Sequence, residues 1–133
     1  MLKLITRDTD YAVRAICFMA GKEADVVSVD EMVKGLKMPR PFLRKILQTL
    51  NKQGMLRSYK GKGGGFALAY PPNKILLLDL MRSFQGPLSL NKCMFKKATC
   101  NNLRICPLRK KIKSIERHVV SELETVTIAS LLK

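Results

Sequence analysis

Apolar residues recur at helical spacing over 9–21 (TDYAVRAICFMAG), where Tyr11, Ala12, Ala15, Ile16, Met19 and Ala20 share one face. Gly21 stands where such a helix can stop. After a short connection, Ser28 and Glu31 form the S-x-x-E pattern of a capped helix start, and Met32, Val33 and Leu36 supply the apolar face of about two turns. Met38-Pro39-Arg40-Pro41 breaks the chain and opens a new helix, expected over 41–53. Its stripe is Phe42, Ile46, Leu47 and Leu50, with Arg44, Gln48 and Asn51 on the other side and Gly54 as terminator. MLRSYK-GKGGG-FALAY then alternates as two short strands around a glycine-rich tip, a β-hairpin. Residues 75–84 predict a short helix that packs this hairpin onto the domain.

Helix, short helix, break, polar-faced helix and hairpin is the order of a winged helix-turn-helix. A loop follows, and Pro107 opens a long helix to about residue 123. Its stripe is Leu108, Ile112, Ile115, Val119, Leu123 and Val126. A lone helix after an irregular loop must bury such a face, on its own domain or on a partner's equivalent helix. The partner fits better, because proteins with one recognition helix dimerise to read two half-sites. Ile112, Ile115, Val119 and Leu123 are the expected dimer contacts, and Thr127 caps a last short turn. The expected fold is thus mainly α with a small β-hairpin wing. It comprises a winged helix-turn-helix over 1–84, a cysteine loop over 85–106, and a dimerisation helix with a C-terminal turn over 107–133.

Charge sharpens this outline. The chain of 133 residues carries a formal net charge of +15, and no Asp or Glu lies between Glu31 and Asp79. A merely solvated face mixes both signs, so a segment that excludes carboxylates points to a polyanion, with nucleic acid favoured over an anionic membrane. Arg40, Arg44, Gln48 and Asn51 are expected to approach base edges, whereas Lys45, Lys52, Arg57, Lys60 and Lys62 would neutralise phosphates. The GKGGG tip does not fit a phosphate-binding loop of the G-x-x-x-x-G-K-[ST] type, and no helix opens behind it. The expectation is therefore not an enzyme and no small-molecule substrate. No apolar run approaches the roughly 20 residues of a membrane span, and the charged start MLKLITRDTD does not suit a signal peptide. A cytoplasmic protein with no membrane partner is expected.

Cys93, Cys100 and Cys106 sit in the loop, where three thiolates at such spacing can close around one metal centre and leave a coordination position open. The six- and five-residue gaps are wider than the usual zinc pairs. Lys96, Lys97 and Arg104 would depress thiolate pKa, which favours ligation and oxidation alike. An iron–sulfur cluster ranks first, a metal-free thiol switch second and zinc third.

With these residues in view, the chain resembles the bacterial winged-helix iron–sulfur transcription regulators of the IscR/NsrR/RirA type, and is nearest in character to the nitric-oxide-sensing repressors. The resemblance spans essentially the whole sequence. It rests on DYAVRAI, FLRKILQTLNKQGMLRSYKGKGGGFALA, the three cysteines and TVTIASLL. It implies a homodimer with crossing long helices, a recognition helix at about 40–53 in the major groove of a double-stranded operator, and a wing at 57–66 against the minor groove. It implies a 2Fe–2S or 4Fe–4S cluster on Cys93, Cys100 and Cys106, and repression that responds to nitric oxide, redox state or iron. The chain departs from the family pattern in three places. The first cysteine gap is six residues rather than five, Arg109 stands where the biogenesis regulators carry a histidine ligand, and Arg44 replaces a glutamate. For the fourth ligand the order is Asp10, which matches a carboxylate supplied across the dimer in the nitric-oxide sensors, then Asp8, Cys17 and His118. A cluster-free thiol- or metabolite-sensing regulator is the alternative, and an iron–sulfur electron carrier the more distant one.

Overall fold

The structure, a computed structural model, describes residues 4–22, 25–88 and 107–132. Helix α1 (Arg7–Ala20) starts two residues before the expected 9–21 span. Thr6 adopts an extended conformation and its hydroxyl accepts from the Thr9 N–H, so capping rather than the apolar stripe sets the first turn. Helix α2 (Val29–Leu36) begins at Ser28, whose hydroxyl accepts from the Glu31 N–H at 3.1 Å. It ends at Lys37, held at φ 56°. Gly35 touches α1 so closely that a Cβ there would overlap the Phe18 ring.

Helix α3 runs from Arg40 to Lys52, with Pro41 in its first turn. Gly54, at φ 81°, donates to Asn51 O while Met55 donates to Leu50 O. These two bonds satisfy the last carbonyls and turn the chain sharply into the wing. Leu43, Ile46, Leu47 and Leu50 are buried and Phe42 is half-buried, so Leu43 belongs to the face that the spacing assigned to its neighbours. Strands β1 (Leu56–Tyr59) and β2 (Gly65–Leu68) pair antiparallel, with Leu56 opposite Leu68 and Tyr59 opposite Gly65.

The wing is also tied to the segment before α2. Val27 and Phe66 exchange both backbone hydrogen bonds at 2.9 Å. Gly65 is required at this crossing, because it sits at φ 154° and a Cβ would run into the Val27 carbonyl. The main core lies among α1, α2, α3 and the base of the wing, with Ile16, Met32, Leu43, Leu47 and Leu50 fully buried. Each such side chain contributes about 1.5–3 kcal/mol.

After a 3-10 turn (Pro72–Lys74), α4 (Leu77–Gln85) packs on α1. Helix α5 (Pro107–Leu123) spans the expected range, and Leu123 joins Leu77, Leu78 and Met81 of α4 in a second apolar cluster. The chain then folds back on its head. Leu77 donates to Val126 O at 3.0 Å and Ile128 donates to Ile75 O at 2.9 Å. Thr127 and Ser130 form a reciprocal capping box for α6 (Ile128–Leu131), and Ile128 is fully buried in the main core. Leu108 and Ile115 of α5 remain 66% and 41% exposed, so the described residues do not cover the outer part of the α5 stripe.

Candidate nucleic-acid interface and cysteine loop

The winged motif gathers its polar residues because the apolar stripe of α3 is fully used by the core, which turns the remaining positions outward. Arg40, Arg44, Lys45, Gln48, Asn51 and Lys52 on α3, with Arg57, Lys60 and Lys62 on the wing, are all exposed. Arg40, Arg44, Gln48 and Lys60 border one cleft of about 480 Å³ between α3 and the hairpin. Ser58, Tyr59 and the Gly64–Phe66 backbone line its wing side, and Ser28, Val29 and Asp30 line its α2 side. The cleft therefore presents long donors on one wall and bare backbone on another.

Arg40 is engaged in this arrangement. Its Nη2 pairs with the Asp30 carboxylate across the α2–α3 turn. The Arg40 hydrogen bond and charge, followed by Lys34 and Arg44, hold the Asp30 carboxyl below the usual carboxylate range. Asp30 was not among the residues singled out from the sequence, where an acid in a first helical turn reads as a dipole partner. Its only sequence signal is that it stands ten residues before an arginine, on the far side of a tight turn.

Cys93, Cys100 and Cys106 lie outside the described residues, as do Lys96, Lys97 and Arg104. The borders of their segment are described. Gln85, the last residue of α4, accepts from Thr9 Oγ1 at 2.8 Å and from the Thr6 N–H at 3.0 Å, and its amide donates to Leu4 O at 2.9 Å. Leu88 packs on the second apolar cluster beside Val13. The chain thus leaves α4 against the N-terminal half of α1, where Asp8 and Asp10 sit.

Among the described residues no three His, Cys, Asp or Glu side chains converge on a metal-sized site. Three thiolates and one further ligand are a donor set that iron–sulfur clusters take, and the three cysteines all lie outside the described residues. Asp10 is half-exposed and accepts from Arg14 Nε at 3.1 Å, an exposed pair worth about 0–1 kcal/mol, so its carboxylate can be released cheaply. Asp8 is half-buried and His118 is exposed on α5. Cys17 packs half-buried against the main core, and burial pushes its thiol pKa up, the opposite of what ligation favours. Of the four expected dimer contacts, Ile115 is exposed, Ile112 and Val119 are half-buried, and Leu123 is buried against α4 of its own chain. No described helix is long and apolar enough to cross a membrane.

A family model described as Rrf2, iron-dependent transcriptional regulator, matches residues 5–133. A protein of Aquifex aeolicus assigned to the HTH-type transcriptional regulators is 31% identical over 124 residues, covering 92% of this chain and 86% of its own. The fold is similar to CymR, the global cysteine regulator of B. subtilis, with a TM-score of 0.81 at 21% identity, covering 99% of this chain and 97% of that one. It is also similar to IscR of T. potens, with a TM-score of 0.73 at 21% identity over 96% of this chain and 85% of that one. Family, relative and fold agree with the outward-facing basic helix and wing: the chain belongs to the Rrf2 family of winged-helix, DNA-binding transcriptional regulators, and is not an enzyme.

Proposed function

We propose that this protein is a dimeric repressor whose operator affinity follows the state of an iron–sulfur cluster held by Cys93, Cys100 and Cys106, with Asp10 from the other subunit as fourth ligand. The observation that carries the DNA-reading half is the exposure of all nine basic and amide residues of α3 and the wing, four of which (Arg40, Arg44, Gln48 and Lys60) border one cleft. Arg40, Arg44, Gln48 and Asn51 read base edges, and Lys45, Lys52, Arg57, Lys60 and Lys62 position the phosphate backbone. The uncovered outer stripe of α5, Leu108 and Ile115 above all, supports pairing with a second copy through that helix.

When bound, a cluster supplies ligand-exchange and redox chemistry toward nitric oxide, oxygen or reductants. An oxygen ligand on iron is weaker than a thiolate, so Asp10 suits a centre meant to be attacked. The chain's own contribution is mechanical. The cysteine segment starts at Gln85, bonded to α1, and ends at Pro107, the first residue of α5. A change in how the three thiolates are held therefore bears on both helices at once. A tilt of either would change the spacing of the two recognition helices in a dimer, a rigid-body switch.

The deciding experiment is an absorption spectrum and iron assay of protein purified without oxygen, followed by nitric oxide titration and operator binding. Visible absorbance with iron bound, lost on Cys100→Ala and weakened on Asp10→Ala, is the expected result. Colourless, iron-free protein that still binds DNA would make it a cluster-free thiol- or metabolite-sensing regulator. An unchanged spectrum and unchanged nitric oxide reactivity in Asp10→Ala would remove that residue from the ligand set.

A further inference from the structure

Among the residues that line the cleft between α3 and the wing, Asp30 is the one carboxylate. It is also out of place electrostatically. A negative charge beside the phosphate chain weakens binding to every duplex, whatever its sequence. It is not buried, its side chain being 68% exposed, so it does not serve the core. As an exposed pair, its bond to Arg40 adds little to folding. What the pair does is bias the direction of a guanidinium at the N-terminus of α3, the part of a recognition helix that meets base edges. Arg carries five N–H donors in a rigid fork. One Nη2 donor on Asp30 leaves the others held in a set direction, as bidentate guanine recognition needs.

We propose that Asp30 is a specificity-determining residue of the DNA interface: it orients Arg40 for one base contact, while its charge lowers the affinity for every duplex alike. The inference rests on the reading of α3 as the recognition helix. Correct sequence rewards the oriented fork, and incorrect sequence bears the cost of the carboxylate without that reward. Specificity is the difference between the two. The positive charges that face Asp30, Arg40 first and then Lys34 and Arg44, keep it ionised in this role.

The test begins by selecting a binding motif for the full-length wild-type protein from a randomised duplex pool. The affinity of each variant is then measured for the selected duplex and for random duplex. One unit of interface charge is worth up to about eightfold in binding at 0.1 M salt, from a slope of about 0.9 per phosphate. Asp30→Asn is expected to tighten random-duplex binding by up to that factor, while the ratio of selected to random affinity falls roughly fivefold or more. Arg40→Lys keeps the charge and loses the fork. It should lower the same ratio with random-duplex affinity unchanged, and both variants should relax the motif at the same base pair.

Equal tightening on selected and random duplex in Asp30→Asn would reduce Asp30 to a plain electrostatic brake and overturn the proposal. So would relaxation at different base pairs in the two variants. A wild-type protein that selects no motif would overturn the recognition-helix reading as well, so the two failures are distinguishable. Thermal unfolding of each variant confirms that the folded protein is being compared.

Discussion

The Thr9 hydroxyl donates to Gln85 Oε1 at 2.8 Å, joining the first turn of α1 to the last residue of α4. Thr9 is fully buried, and the same Gln85 side chain bonds the Thr6 N–H and the Leu4 carbonyl. One amide thus fastens the N-terminus of the chain to the root of the cysteine segment. Gln85→Ala should cost about 1 kcal/mol, the low end for an abandoned buried hydroxyl, because Thr9 Oγ1 can turn to Thr6 Oγ1 at 3.1 Å. Urea unfolding measures this. A loss near zero would mean that the node does not hold in solution.

Two positive-φ glycines, Gly54 before the wing and Gly65 at the start of β2, should behave differently on substitution. Gly54 has open space around its missing Cβ, so Gly54→Ala should cost only the backbone term of about 1 kcal/mol. Gly65 abuts the Val27 carbonyl as well, and Gly65→Ala should cost about 1–3 kcal/mol and loosen the wing from the segment before α2. Thermal melts rank the two, and hydrogen exchange at the Phe66 amide reports whether the bridge opens.

Salt dependence separates the cations of the interface. Lys60→Ala and Lys62→Ala should each weaken binding to all duplexes alike and reduce the slope of log affinity against log salt by about 1. Arg44→Ala should instead relax sequence preference. Equal effects of Arg44→Ala on selected and random duplex would exclude it from base reading.

Cys17 should be a poor nucleophile in the folded protein, because burial raises its thiol pKa. The raised value lies on the folded side. The associated stability is therefore complete below the unfolded thiol pKa of about 8.5, and is lost as pH rises through the folded one. In a chain with Cys93, Cys100 and Cys106 replaced by serine, alkylation at pH 8 should be slower before unfolding than after. The urea midpoint should fall as pH rises from about 8.5 through the higher folded value.

Helices were legible in the sequence wherever periodicity and an end signal coincided. Pro107 with its spaced stripe gave α5 its bounds, and Gly54 marked the turn into the wing. The Val27–Phe66 and Leu76–Thr127 bridges were not legible, since a single paired residue has no period and its partner lies far along the chain. Leu43 stands three and four residues before Ile46 and Leu47 and is buried with them, whereas Phe42 lies at the edge of that face and is half-buried. In the candidate interface, charge and spacing marked the cations of α3 and the wing. Asp30 escaped because it belongs to the cleft only once α2 and α3 are folded against each other.

The Leu76–Thr127 bridge carries a consequence for the order in which the protein is made. Ile128 is fully buried in the same core as Ile16 and Leu47, so the winged head lacks a piece of its interior until the residues that follow α5 leave the ribosome. A nascent chain has by then already synthesised its three cysteines and α5. The winged head therefore completes its packing only as part of a molecule in which the three cysteines and α5 are already present. A product that stops before Ile128 would leave the core of the head open at that point and forgo about 1.5–3 kcal/mol of burial.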